Sequence, residues 1–147
     1  MLPYHYCLET AETSFFDLSG ALFVSKCVLI VDDEEDVRVI AKMGLEMGAG
    51  WKVLTASSGQ EALVMAETNQ PDVILLDLMM PDMDGRQTLQ QLKANPATRQ
   101  IPVILVTAKS QPSDRESSQQ LDVAAVFTKP FRPLKLADQI DALLDSN

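Results

Sequence analysis

Asp77 stands where a carboxylate is out of place. It closes the apolar run Val73-Ile74-Leu75-Leu76 and is followed at once by Leu78-Met79-Met80-Pro81-Asp82-Met83-Asp84-Gly85. A charge at the end of a buried strand costs desolvation energy unless something uses it. Other polar side chains occupy equivalent places. Asp32 and Asp33 follow Val28-Leu29-Ile30-Val31, Thr107 ends Pro102 to Val106, and Lys129 follows Val123 to Thr128. Each has an ordinary explanation alone. The acidic stretch Asp32 to Asp36 suits the first turn of a helix through the dipole. Thr107 is a common strand residue, Lys129 a common surface lysine, and Asp77 by itself a loop-starting aspartate. Their recurrence at four separate strand ends points to one shared site.

The chemistry of that set is specific. Three crowded carboxylates repel, and some retain protons at neutral pH unless a cation intervenes. An all-oxygen group with room for water suits Mg²⁺. Aspartate is a known nucleophile for acyl-phosphate formation. Lys129 offers a point charge, and the Thr107 hydroxyl a hydrogen-bond donor, to phosphoryl oxygens. Phosphoryl transfer needs mostly positioning and charge neutralisation, so a small domain suffices. The pattern therefore marks Asp77 as a candidate phosphoryl acceptor. The Met79-Met80-Met83 cluster reads as loop packing, since no thiolate or imidazole lies close in sequence to make a soft-metal site.

The elements that must position these residues alternate regularly from Lys26 onward. Val28 to Val31 reads as a strand buried on both faces. Val37, Ile40, Ala41, Gly44, Leu45 and Gly48 recur at helical spacing, with Gly48 and Gly50 as stop signals. Trp51 to Ala56 alternates more and belongs nearer a sheet edge. Ser57 or Ser58 caps the next helix, with Glu61 early in it, core residues Ala62, Leu63 and Ala66, and Pro71 beyond its end. A third strand runs from Val73 to Leu76 or Asp77, then a polar helix from Gly85 to Asn95 anchored by Leu89 and Leu92. Pro102 to Thr107 is the fourth strand. Residues 113 to 122 form a nearly all-polar helix, the least stable element expected. Val123 to Thr128 is the fifth strand, and Pro133 to Leu144 the last helix, with Leu136, Ala137, Ile140, Leu143 and Leu144 on one stripe. Five strands alternating with five helices predict an α/β, doubly wound parallel sheet with helices on both faces. Such sheets carry sites beyond the carboxyl ends of their strands. If the strand order is 2-1-3-4-5, all five candidate side chains converge there.

Composition bounds the function. The 147 residues suit one core, with 46% hydrophobic and 22% charged residues. A formal net charge of −9 disfavours direct nucleic-acid binding and an anionic membrane surface. Two cysteines, Cys7 and Cys27, make neither a disulfide framework nor a zinc site. Cys27 reads as a small buried hydrophobe, and the compartment as reducing, hence cytoplasmic. Residues 1–25 form an N-terminal extension, either an unstructured tail or one docked helix carrying Phe15, Phe16, Leu18, Leu22 and Phe23. It lacks a signal-peptide pattern. A start near Val24 is a further reading of the stretch. Residues 26–147 form the domain, with no second domain expected after Asn147.

At these residues the chain resembles the receiver domain of bacterial two-component response regulators, single-domain and flavodoxin-like in its sheet order. The matching pieces are Val28 to Glu34, Asp77 to Gly85, Val106-Thr107-Ala108-Lys109 and Thr128-Lys129-Pro130-Phe131. The resemblance covers residues 26 to 145. It implies that Asp77 accepts a phosphoryl group from a histidine kinase or histidine phosphotransfer protein. It further implies that Asp33, Asp77 and the Met79 backbone carbonyl hold Mg²⁺, with Asp32 acting through water. Thr107 and Lys129 would bind phosphoryl oxygens, the Lys129–Pro130 bond would be cis, and a downstream protein of unknown identity would read the state. The protein is expected not to be an enzyme. Three departures stand out: Val126 where the family often has an aromatic switch residue, Asp122-Val123 where it often has Gly-Ala, and little apolar surface between Asp114 and Leu121 except Leu121. Two other functions stay open: an aspartyl-phosphate hydrolase, disfavoured because Asp32 and Asp33 are adjacent without an Asp-x-Asp on the first strand, and a degenerate receiver serving only as a binding module.

Overall fold

The computed structural model describes residues 14–16, 22–24, 26–80, 84–107 and 122–145. Its central element is a five-stranded parallel sheet built from β3 (Cys27–Val31), β4 (Lys52–Ala56), β5 (Val73–Asp77), β6 (Val103–Thr107) and β7 (Ala125–Thr128). The order is β4-β3-β5-β6-β7, which is the expected 2-1-3-4-5. β4 lies at an edge, as its alternating pattern implied.

Alternation along the strands divides the core into two layers. Leu29 and Val31, Ile74 and Leu76, and Val103 and Leu105 face one side. They pack with Ala62 and Ala66 of α2 (Gly59–Asn69) and with Leu89 and Leu92 of α3 (Gly85–Ala94). Val28 and Ile30, Val73 and Leu75, and Ile104 and Val106 face the other. There they meet Ala41 and Leu45 of α1 (Glu35–Ala49) and Leu136, Ala137 and Ile140 of α4 (Pro133–Asp145). Burial on both faces explains why β3, β5 and β6 are continuous apolar runs.

The ends of the helices follow local chemistry. Gly50 ends α1 at φ 68°, donating its N–H to Glu46 and Leu45. Of the two candidate serines, Ser58 caps α2 by accepting from the Glu61 N–H. The Glu61 carboxylate in turn accepts from the N–H and hydroxyl of Ser57. Asp84 caps α3 by accepting from the Gln87 N–H. At the opposite end of the sheet from the candidate site, Lys26 pairs with Asp141 and lies 5.3 Å from the centre of the Trp51 ring.

Two expectations are corrected. Within residues 1–25 the described segments are neither tail nor helix: β1 (Ser14–Phe16) pairs antiparallel with β2 (Leu22–Val24). Three-residue strands are too short to show a period, so aromatic spacing alone suggested a helix there. Cys27 is fully buried but disulfide-bonded, so its sulfur no longer argues for a reducing compartment. The last strand is shorter than expected, Val123 and Ala124 leading into it through the Ala124 N–H to Val103 carbonyl bond. The polar helix expected over 113 to 122 lies outside the described residues, apart from Asp122.

Candidate functional site

Strand register brings the candidate residues together. Val31 pairs with Leu76 across β3 and β5, so Asp32 and Asp77 each fall one step beyond that pair. Asp77 pairs with Val106 of β6, and Thr107 is the next residue. Thr107 pairs with Thr128, and the Lys129 N–H donates to the Thr107 carbonyl at 2.8 Å. All four strand ends therefore open on one edge of the sheet.

Asp32 and Asp77 are buried at 2% exposure each, and Thr107 is buried beside them. Asp33 is exposed. Carboxylate oxygens of Asp32, Asp33 and Asp77 lie within 4.8 Å of one another. Lys129 reaches into this group. Its Nζ donates to Asp32 Oδ2 at 2.7 Å and lies 3.6 Å from Asp77 Oδ2. The Lys129–Pro130 peptide bond is cis.

Hydrogen bonds from the backbone and from Arg38 hold the acidic residues in place. The Glu34 N–H donates to Asp32 Oδ1 at 2.9 Å, and Arg38 Nη1 donates to the Asp32 carbonyl at 2.7 Å. The Met79 N–H donates to Asp77 Oδ1 at 3.2 Å. Met79 itself is exposed.

The electrostatics of the group are strained. Burial, followed by the Asp32 charge, pushes the Asp77 carboxyl up to about 6; Lys129 and the Met79 N–H pull the other way, and Asp33 raises it further. Burial alone would lower the Lys129 pKa. The Asp32 hydrogen bond and the Asp77, Asp32 and Glu34 charges outweigh that and raise it. Lys129 therefore stays an ammonium at neutral pH, yet it does not fully offset three carboxylates. A small divalent cation with oxygen ligands fits this donor set, since every potential ligand is a hard oxygen.

Two residues matter here that sequence reasoning undervalued. In the sequence Gly85 marks only the start of a polar helix and the end of a matching piece. A Cβ there would lie 2.5 Å from the Asp77 carbonyl oxygen and 2.7 Å from the Leu78 Cα. Only glycine lets the start of α3 press against the backbone of Asp77 and Leu78, and its N–H donates to the Leu78 carbonyl. Glu34 was one charge in an acidic run. Its carboxylate lies 3.9 Å from Lys129 Nζ. Val126 is half-buried and packs against the α2–α3 side of the sheet, while Phe127 packs on the other side.

The acidic residues and the lysine converge at the carboxyl edge of an open α/β sheet, where such sheets carry their sites, and make a donor set suited to a cation and an anionic group. The model of the response regulator receiver domain matches residues 28–141, and the chain belongs to that family. Its function is that of a receiver in two-component signalling. The chain is similar to the alkaline phosphatase synthesis transcriptional regulatory protein PhoP of Bacillus subtilis, 37% identical over 121 residues, covering 82% of this chain and 49% of PhoP. It is 40% identical over 122 residues to the response regulator PleD of Caulobacter vibrioides, covering 82% of this chain and 26% of PleD. The chain thus spans half or less of the length of these relatives. Among solved structures, the chemotaxis protein CheY4 of Vibrio cholerae superposes with a TM-score of 0.74 at 28% identity, covering 82% of this chain and 99% of that one.

Proposed function

We propose that Asp77 is the phosphoryl acceptor, taking the group from a histidine kinase or histidine phosphotransfer protein and switching the binding of a downstream protein. The observation that carries this reading is the convergence of Asp32, Asp33 and Asp77 within 4.8 Å, with Lys129 among them. In the transfer, an Asp77 carboxylate oxygen forms the new O–P bond as the N–P bond of the phosphohistidine breaks and the imidazole leaves. Lys129 shifts from Asp32 and Asp77 toward the incoming phosphoryl oxygens, and the Thr107 hydroxyl donates to another of them. Asp33, Asp77 and the Met79 carbonyl are the groups to hold Mg²⁺, with Asp32 acting through water. The bound ion would offset the negative charge shared by donor and acceptor.

The formal net charge of −9 favours protein partners over nucleic acid or an anionic membrane, and no helix among the described residues is long and apolar enough to cross a bilayer. The cytoplasm, where ATP charges such phosphodonors, is the expected location. The module acts by partner binding and turns over no small substrate of its own.

Acetyl phosphate tests the reading. In Mg²⁺ the intact protein should gain one phosphoryl group by mass, EDTA should prevent the gain, and Asp77→Asn should abolish it. Rapid multiple turnover of small phosphoesters would identify a hydrolase instead. No adduct from the wild type under any condition would leave a module that only binds proteins.

A further inference from the structure

Glu34 occupies the N-cap of α1 with extended backbone, φ −88° and ψ 118°, but its side chain makes no capping hydrogen bond. Ser58 and Asp84 both cap their helices. Glutamate is not among the favoured N-cap residues, because its longer side chain does not suit the N–H groups of N2 and N3. Nor does Glu34 belong to the carboxylate group that fits a cation, which comprises Asp32, Asp33 and Asp77. Its carboxylate instead lies 3.9 Å from Lys129 Nζ, at the mouth of the site, with its side chain 65% exposed.

Lys129 thus faces three carboxylates: Asp32 at 2.7 Å, Asp77 at 3.6 Å and Glu34 at 3.9 Å. Asp32 and Asp77 belong to the acceptor site itself. Glu34 does not: its backbone N–H supports Asp32 Oδ1, but its carboxylate meets the site through the lysine. A negative charge at the helix start suits the dipole, but a capping aspartate would serve that as well, so the choice of the longer glutamate beside Lys129 points to a functional use.

We propose that Glu34 is a positioning residue that holds the Lys129 ammonium back toward the carboxylates and so weakens the hold of the site on a phosphoryl group. The inference rests on the acceptor reading of Asp77. For Lys129 to engage phosphoryl oxygens it must give up part of its contact with each carboxylate. Every competing charge stabilises the empty state relative to the loaded one. A partly exposed ion pair is screened, so the effect is modest: removing the charge shifts the balance about two- to fivefold toward the loaded state.

The test uses beryllium fluoride, a tetrahedral phosphoryl mimic that binds reversibly, so that no donor chemistry enters. Its affinity for the full chain is measured in Mg²⁺ by titration calorimetry, for wild type, Glu34→Gln and Glu34→Ser. Both variants should bind the mimic about two- to fivefold more tightly. Glu34→Ser should also raise the melting temperature, because serine supplies the missing cap. A merely structural role for Glu34 would move the melting temperature and leave the affinity alone. The same titration in a Lys129→Gln background separates the route of action. If Glu34 works through the lysine, Glu34→Gln has no effect there. Equal tightening in both backgrounds would show simple repulsion of the anion and overturn the proposal. Unchanged affinity in Glu34→Gln with a normally binding wild type would overturn it alone, whereas a wild type that binds no mimic would overturn the acceptor reading with it.

Discussion

Asp77 carries the sharpest consequence at the level of single residues. Its carboxyl is raised from the ordinary 3.8 to about 6, chiefly by burial and next by Asp32. Folding therefore favours its protonated form. The stability linked to that proton is complete below about pH 3.8, declines as pH rises through 6, and is absent above it. At neutral pH without a cation, the folded state carries a poorly compensated charge. Asp77→Asn removes it while keeping the shape. The variant should be more stable than wild type at pH 7.5 by about 1–2 kcal/mol, allowing for screening at the pocket mouth, with the gap closing by pH 4. Urea unfolding at the two pH values measures this, and added Mg²⁺ should narrow the gap at pH 7.5 by stabilising the wild type alone. A gap that persists unchanged at pH 4 would refute the assignment of the strain to this carboxyl. The placement of Asp32, Asp33, Asp77, Thr107 and Lys129 on one edge was legible in the sequence because each sits at or just past the end of a strand-like run, so strand direction fixes the edge it occupies. Glu34 was not, because a charge inside an acidic run carries no sign of the lysine it faces from a distant strand.

Helices and strands differ in how openly they declare themselves. β3, β5 and β6 are buried along their whole length, and their runs of four or five consecutive apolar positions leave little choice of structure. The Ser14–Phe16 and Leu22–Val24 pair depends on cross-strand partners that spacing along the chain does not reveal. Close approaches between elements are equally hidden, because a glycine reads as a turn until its neighbour is known. Gly44 and Gly85 both have such neighbours. A Cβ at Gly44 would lie 2.5 Å from the Pro133 carbonyl oxygen, where α1 meets α4, and one at Gly85 equally close to Asp77. Alanine at either position should cost about 1–3 kcal/mol through forced backbone shifts. Only Gly85→Ala displaces Asp77, the proposed acceptor, so it alone should slow adduct formation from acetyl phosphate, on the order of tenfold or more. Equal slowing by Gly44→Ala would mean that lost stability, and not the seating of α3 against Asp77, sets the rate.

At the scale of the whole molecule, the described residues form a five-stranded sheet with an apolar layer on each face and the candidate site at one edge. The layers are built from residues between Val28 and Leu144, and the family match begins at residue 28 and ends at 141. Among the described residues, β3, β5 and β6 are buried on both faces, between α1 and α4 on one side and α2 and α3 on the other, while β7 is half-buried. Register alone then delivers Asp32, Asp77, Thr107 and Lys129 to the same edge. β1 and β2 form a separate two-stranded sheet, so the five-stranded sheet does not depend on them for a ladder partner. We propose accordingly that residues 26–147 are the receiver unit. A chain shortened to those residues should keep its cooperative unfolding and its Mg²⁺-dependent adduct. Its stability should fall within about 1 kcal/mol of the full chain when both are measured under reducing conditions, which removes the Cys27 disulfide from the comparison. Chemical denaturation and intact mass after acetyl phosphate treatment check the two halves of this expectation. Loss of cooperativity in the shortened chain would place residues 1–25 inside the fold and move the domain boundary upstream of Lys26.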